Sequence, residues 1–283
     1  EYIDALMPRR AAESSKNDYG RILCVCGSAG YTGAAFFAAQ GAVRMGSGVV
    51  TLAVPERAWP VLAVKLSEPV VRPLPCTEDG LFSVRALPRL LELAEHADAL
   101  LIGCGLGHTD NTRDLVQRIV SGLKIPLVID ADGINCVADN IDILSHAAAG
   151  VILTPHCGEM ARLCGVSVDE ILRDRMKYGR LICDRYRAIV VLKSASTLVF
   201  APDGRTFIFT GGNSGMATAG SGDMLAGIIA ALVCRCPSLL DAALAGVYVH
   251  FQCGAAAAEK QSQCAMTVTD MLGCMGEVYR KFE

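Results

Sequence analysis

Residues 213–226 read NSGMATAGSGDMLA, between a β-rich run at 206–210 followed by a double glycine and an apolar helical run at 225–233. Gly220, Ser221 and Gly222 let the backbone turn sharply, so several N–H groups at the helix start can face one point. A helix start with free N–H groups is an anion site, and the helix dipole favours it further. Asp223 sets one carboxylate at the rim. Amides that hold a phosphoryl group, beside an acid that takes a hydroxyl proton, are what phosphoryl transfer to an alcohol requires. The plain alternative is an Asp that only caps free amides. The surrounding chain separates the two.

Upstream, residues 21–26 form a short apolar run that enters GSAGYTGAA at 27–35 and then a helical stretch to about residue 45. The loop has neither the Gly-Lys-Ser/Thr close of a Walker A sequence nor the dinucleotide glycine spacing, so by itself it reads equally as a tight strand–helix turn. A second strand spans 47–54, and a proline-bearing, irregular part follows to residue 88. The apolar run 98–103 exits into GCGLGHT at 103–109, again ahead of a helix (111–121). Residues 126–129 end at Asp130 and Asp132, which could help hold Mg²⁺ or serve as a strand-end turn and helix cap. The strand at 150–153 ends in TPHCGE, with His156 and Glu159. Strands alternating with helices predict an α/β fold with a mostly parallel sheet covered on both faces. In such sheets, sites form beyond the carboxyl ends of the strands, so these four exits should meet on one edge.

After a charged helical stretch at 168–186 and a strand at 188–192, the pattern changes. Residues 192–201 and 206–210 read as two arms of a β-hairpin turning at Asp203-Gly204. Lys193 stands in KSASTLV, where it meets either a phosphate or solvent. Two small-residue-rich helices, each apolar on one face, close the chain at 239–259 and 268–282, and His250 in the first is expected to be a core histidine. With no internal repeat or linker, residues 1–283 are expected to form a single domain.

Hydrophobic residues make up 52% and charged residues 19%, which implies a large core and some buried subunit surface. A net charge of −3 gives no support for a nucleic-acid partner. No uninterrupted apolar run of about 18 residues occurs, so no membrane association is expected. The thirteen cysteines form no C-x-x-C pair and sit mostly in apolar runs. With no apolar leader in EYIDALMPRR, they are expected to be reduced thiols in a cytoplasmic protein. Paired zinc-ligand spacings are missing.

Taken in register, GSAGYTGAA, GCGLG, VIDADGIN, LTPHCGEMARL, VLKSAST and AGSGDMLAG resemble the ADP/ATP-dependent NAD(P)H-hydrate dehydratases of the ribokinase-like superfamily over nearly the whole chain. The resemblance implies a three-layer αβα sandwich and a dehydratase without the epimerase domain of the family's bifunctional members. It also implies repair of the S-epimer of NADH or NADPH hydrate, in which ADP or ATP phosphorylates the hydrate hydroxyl and loss of phosphate restores the dinucleotide. By position, Asp223 is the catalytic acid–base group, with Gly220, Ser221 and Gly222 lining the anion hole. Hydrate contacts fall to Ala34, Gly105, Gly107, His156 and Asp223. Nucleotide contacts fall to Lys193, Ser194, Ala195, Ser196, Thr197 and Gly222. Mg²⁺ is expected with the nucleotide, its ligands unassigned, and a homotetramer is expected by resemblance.

At a helix start Asp223 should have a low pKa and act through position. Ser194 stands where the family commonly has glycine, so its backbone angle decides whether the nucleotide turn is strained. Two other readings share Asp223 and the anion hole: a ribokinase-like kinase of a small alcohol, and a nucleotide-binding protein without turnover.

Overall fold

The computed structural model describes residues 2–283. A short helix α1 (Tyr2–Leu6) precedes β1 (Arg21–Val25), α2 (Thr32–Arg44), β2 (Val49–Pro55), α3 (Trp59–Lys65), β3 (Val70–Leu74) and α4 (Leu87–Ala94). Then come β4 (Ala99–Ile102), α5 (Asp110–Gly122), β5 (Leu127–Ile129), α6 (Ala131–Ala138), β6 (Val151–Leu153) and α7 (Cys157–Cys164). The chain continues through α8 (Val168–Arg173), α9 (Arg175–Tyr186), β7 (Ile189–Leu192), β8 (Thr197–Phe200) and β9 (Thr206–Phe209). It ends in α10 (Ser221–Val233), α11 (Leu239–Gln261) and α12 (Val268–Arg280).

The strands form one nine-stranded sheet in the order β3-β2-β1-β4-β5-β6-β7-β8-β9. Every pairing from β3 to β7 is parallel, and β8 and β9 add antiparallel at one end. Strands that feed opposite faces of a covered sheet must be apolar on both sides. In β1, Ile22 and Cys24 pack under α2, α10, α11 and α12, whereas Leu23 and Val25 pack under α4 to α9. Two cores sandwich one sheet, as the three-layer expectation requires. Helix α11 is long and apolar enough to cross a membrane by length and composition, but here it contributes Ala243, Leu244 and Val247 to the first core.

Two segments differ from the sequence reading. The stretch expected to be irregular before residue 88 contains α3 and the edge strand β3. Its Pro73 is tolerated because β3 pairs on one side only. The arm expected at 192–201 is not continuous: it breaks at Lys193–Ser196, so that β7 and β8 themselves form a hairpin. The cause lies at the neighbouring strand exit, where the Lys193 N–H donates to the Pro155 carbonyl at 2.8 Å and draws the chain over β6.

Helices α2 and α10 cross with their backbones in contact. A Cβ on Gly227 would lie 2.0 Å from the Ala38 carbonyl oxygen, and one on Gly41 would lie 2.6 Å from that of Met224. Neither neighbour is a side chain that can swing away. Gly227→Ala should therefore destabilise the protein by roughly 2–3 kcal/mol. A denaturation midpoint that falls with an unchanged slope would register that loss.

Candidate active site

Between β1 and β4 the strand order reverses direction, and the crevice at such a point is where an open sheet admits ligands. The first two glycine loops meet there: the Gly27 N–H donates to the Cys104 carbonyl at 2.7 Å, and the buried Ser28 hydroxyl donates to that of Gly105 at 2.8 Å. A Cβ on Gly105 would stand 2.8 Å from that of Ala34, so these two expected substrate residues touch. Gly107 donates its N–H to Asp132 at 2.8 Å, tying the second loop to the third.

The third and fourth exits carry charge into the interior. Asp130 is 1% exposed and accepts at Oδ1 from both Lys193 Nζ and Thr154 Oγ1, each at 2.7 Å. Lys193 is therefore no solvated strand-end lysine. Burial opposes its charge, yet the Asp130 and Glu159 carboxylates hold its pKa above the usual lysine range. Its ammonium sits 3.2 Å from the point where a Gly222 Cβ would be, at the start of α10. His156 caps α7, its Nδ1 accepting from the Gly158 and Glu159 N–H groups at 2.9 and 3.3 Å. Burial, then the Lys193 and Arg162 charges, lower its pKa. Burial raises the Glu159 carboxyl to about 7.

Gly220 takes the left-handed conformation (φ 95°) as the N-cap of α10, an angle that side chains disfavour. The Ser221 N–H donates to the Thr218 carbonyl at 3.3 Å. Gly220, Gly222 and Asp223 keep N–H groups with no acceptor among the described residues, whereas that of Ser221 is already engaged. His250 is a core histidine, but not only that. Burial depresses its pKa to about 4, and its neutral ring sets Nε2 3.0 Å from the Ser221 carbonyl and 3.1 Å from its hydroxyl. It braces the first turn of α10.

Beside that turn lies a cavity of about 690 Å³. Lys193, Ser194, Ala195, Thr197 and Gly222 line it, as does Ser221. Ser196 does not; its carbonyl accepts from Ser194 Oγ and Arg175 within the turn. His156, expected on the substrate side, lines this same cavity, and Ala34, Gly105 and Gly107 do not. The strand readings missed the far wall, which Leu225 and Phe251 complete. Phe251 carried no signal, being an apolar residue in an alanine-rich helix that reads as core. Ser194 is not among the residues with positive φ, so serine at this position is unstrained.

Asp223 stands between the cavity and the glycine loops, with Cys104 and Asp130 offering donor atoms within 4.8 Å of it. Its carboxyl is not low. Burial and then the Asp130 charge push it up to about 6, against the pull of Lys193 and the Cys104 thiol. Desolvation outweighs the helix dipole because the carboxylate is mostly cut off from water. The trio does not fit a protein-held Mg²⁺: a thiol is a soft ligand, and Asp130 Oδ1 already accepts two bonds. Asp132 is turned to the Gly107 N–H.

The charges around Asp223 set the sign of a titration test. Carboxyl NMR should place Asp223 near 6. Asp130→Asn removes a like charge and lowers that value, and Lys193→Met removes an opposite charge and raises it. Shifts of the same sign in both variants would contradict this arrangement.

A family model described as NAD(P)H-hydrate dehydratase matches residues 22–275. The chain is 41% identical over 277 residues to a bifunctional NAD(P)H-hydrate repair enzyme of Moorella thermoacetica, covering 98% of this chain and 52% of that protein. It thus spans about half the length of such bifunctional relatives. An ADP-dependent (S)-NAD(P)H-hydrate dehydratase of Xanthomonas campestris is 35% identical over 248 residues, covering 87% of this chain and 83% of that one. The fold matches the ADP/ATP-dependent NAD(P)H-hydrate dehydratase of Bacillus subtilis, co-crystallised with ATP/Mg²⁺, at a TM-score of 0.84 and 28% identity, covering 100% and 96% of the two chains. On the family model and the Xanthomonas relative together, this chain belongs to the NAD(P)H-hydrate dehydratase family.

Proposed function

We propose that this protein dehydrates the S-epimer of NADH or NADPH hydrate, using ADP or ATP to phosphorylate the hydrate hydroxyl before phosphate leaves. The observation that carries this reading is the place of Asp223. Its carboxylate stands at the open amides of α10, with the 690 Å³ cavity on one side and Cys104, next to Gly105, on the other. A nucleotide fills the cavity, with its adenosine against Phe251 and Leu225 and its phosphates toward Gly222 and Lys193. The hydrate lies over Ala34 and Gly105. Asp223 accepts the proton as the hydroxyl oxygen bonds to the terminal phosphorus, and the amides of Gly220, Gly222 and Asp223 stabilise the charge on the transferring group. The nucleotide leaves one phosphate shorter. The C–O bond of the new ester then breaks, phosphate departs, and loss of a ring proton restores the double bond. Mg²⁺ belongs with the nucleotide phosphates, since the side chains here do not cage it.

A base at about 6 is ionised at neutral pH yet strong enough to take an alcohol proton in flight. Turnover should therefore fall as pH drops through that value, because protonated Asp223 cannot accept. The test is recovery of reduced nicotinamide absorbance from hydrated NADH with ADP or ATP. Asp223→Asn should lower kcat by about 10²–10⁴-fold with nucleotide affinity retained. Nucleotide consumed without recovery of absorbance would instead point to a kinase of another alcohol.

A homotetramer in a reducing cytoplasm completes the proposal. Thirteen free thiols are in keeping with that compartment. Helix α3 turns Trp59, Val61 and Val64 to solvent, Val64 at 89% exposure, beside Val70 on the edge strand. Light scattering should give four chains, and Val64→Glu should lower that mass. An unchanged mass would move the contact elsewhere.

A further inference from the structure

A nucleoside di- or triphosphate brings several negative charges into the cavity, so its site needs cations that are not already neutralised. Lys193 does not meet that need alone, because its ammonium is held 2.7 Å from Asp130 inside the protein. Arg162 also bonds a neutral oxygen, that of the Asn135 side chain at 3.0 Å, but this partner lies on α6, away from the cavity wall. Arg175 bonds the wall. It opens α9, is half-buried, and donates to the Ser196 carbonyl at 2.9 Å and to the Ser194 hydroxyl. Both acceptors are neutral, and no carboxylate lies within 4.0 Å of its guanidinium among the described residues.

The turn that Arg175 clasps is the cavity wall itself, contributing Lys193, Ser194, Ala195 and Thr197. The Ser194 hydroxyl also donates to the Ser196 carbonyl at 2.6 Å, so hydroxyl and guanidinium share one acceptor and close the turn. A glycine at 194 would lack this tether. The Arg175 charge also reaches the Cys157 thiol, next to the cavity-lining His156.

We propose that Arg175, held against the turn by the Ser194 hydroxyl, supplies the uncompensated positive charge that binds the phosphates of the nucleotide. This rests on the nucleotide reading above and adds to it a residue outside the phosphate-binding amides. A guanidinium that bonds only neutral oxygens keeps its full field for an anion, whereas the Lys193–Asp130 pair offers an ammonium with its counter-charge attached.

Calorimetric titration of the whole protein with ADP, and separately with adenosine, tests this without requiring turnover. Arg175→Gln should weaken ADP by about tenfold, the size of one charge-assisted bond, and leave adenosine unchanged. Arg175→Lys should recover most of the loss, and added salt should weaken ADP more in the wild type than in the Gln variant. Ser194→Ala, which keeps the charge and loosens its tether, should give a smaller loss for ADP alone, and it keeps the test open if Arg175→Gln does not fold. Equal losses for ADP and adenosine would reduce Arg175 to a shaper of the turn and overturn the proposal, as would unchanged ADP affinity. Wild-type protein that binds ADP in this pattern but recovers no NADH would sink the dehydratase reading and leave the Arg175 assignment standing.

Discussion

Lys193 and Asp130 leave the sheet at the ends of β7 and β5, with β6 between them, and meet at 2.7 Å. The intervening strand joins the contact, because its exit residue Thr154 donates to the same carboxylate oxygen. A buried carboxylate without a partner is too costly to keep charged, so Asp130 requires Lys193, and Lys193 requires a carboxylate to remain inside. The pair fixes three strand exits relative to one another. It also brings one cation to the first turn of α10, from which the nearby acid Asp223 projects.

That arrangement explains why Asp223 suits proton transfer. The helix start lowers the energy of a nearby negative charge. Burial and the second carboxylate raise it, and they prevail. The acid is left with a pKa near 6, between an exposed aspartate and a fully neutral buried one. Lys193 and the Cys104 thiol prevent a larger shift. The site is thus a balance of opposed charges in a dry place, and moving any of the three side chains would change how readily Asp223 takes a proton.

The neighbouring helices hold this balance in register. Helix α10 can reach the sheet edge only because Gly41 and Gly227 let it cross α2 at backbone distance, and His250 on α11 braces its first turn from behind. The glycine loops do a different task. They let the first two loops approach closely, with Gly105 packed against Ala34 and Tyr31, next to the Cys104 that neighbours Asp223.

Much of this was legible in the order of residues. Apolar strands with glycine-bearing exits, repeated ahead of helices, determine a mostly parallel sheet with its site on one edge, because strand and helix periodicity and the chemistry of tight turns are local properties. The GSGD start of α10 and the KSAST turn were legible for the same reason, and so was the family. Only the tertiary structure decided what depends on residues far apart in the chain. Residues 63 apart in sequence pair as Lys193 and Asp130, and that pairing with burial reverses the expected pKa of Asp223. The hairpin break after β7, the wall supplied by Phe251 and the clasp of Arg175 on Ser194 were likewise invisible in the sequence. Each arises where separate elements meet, and desolvation and Coulomb interaction act through space with no regard to chain distance.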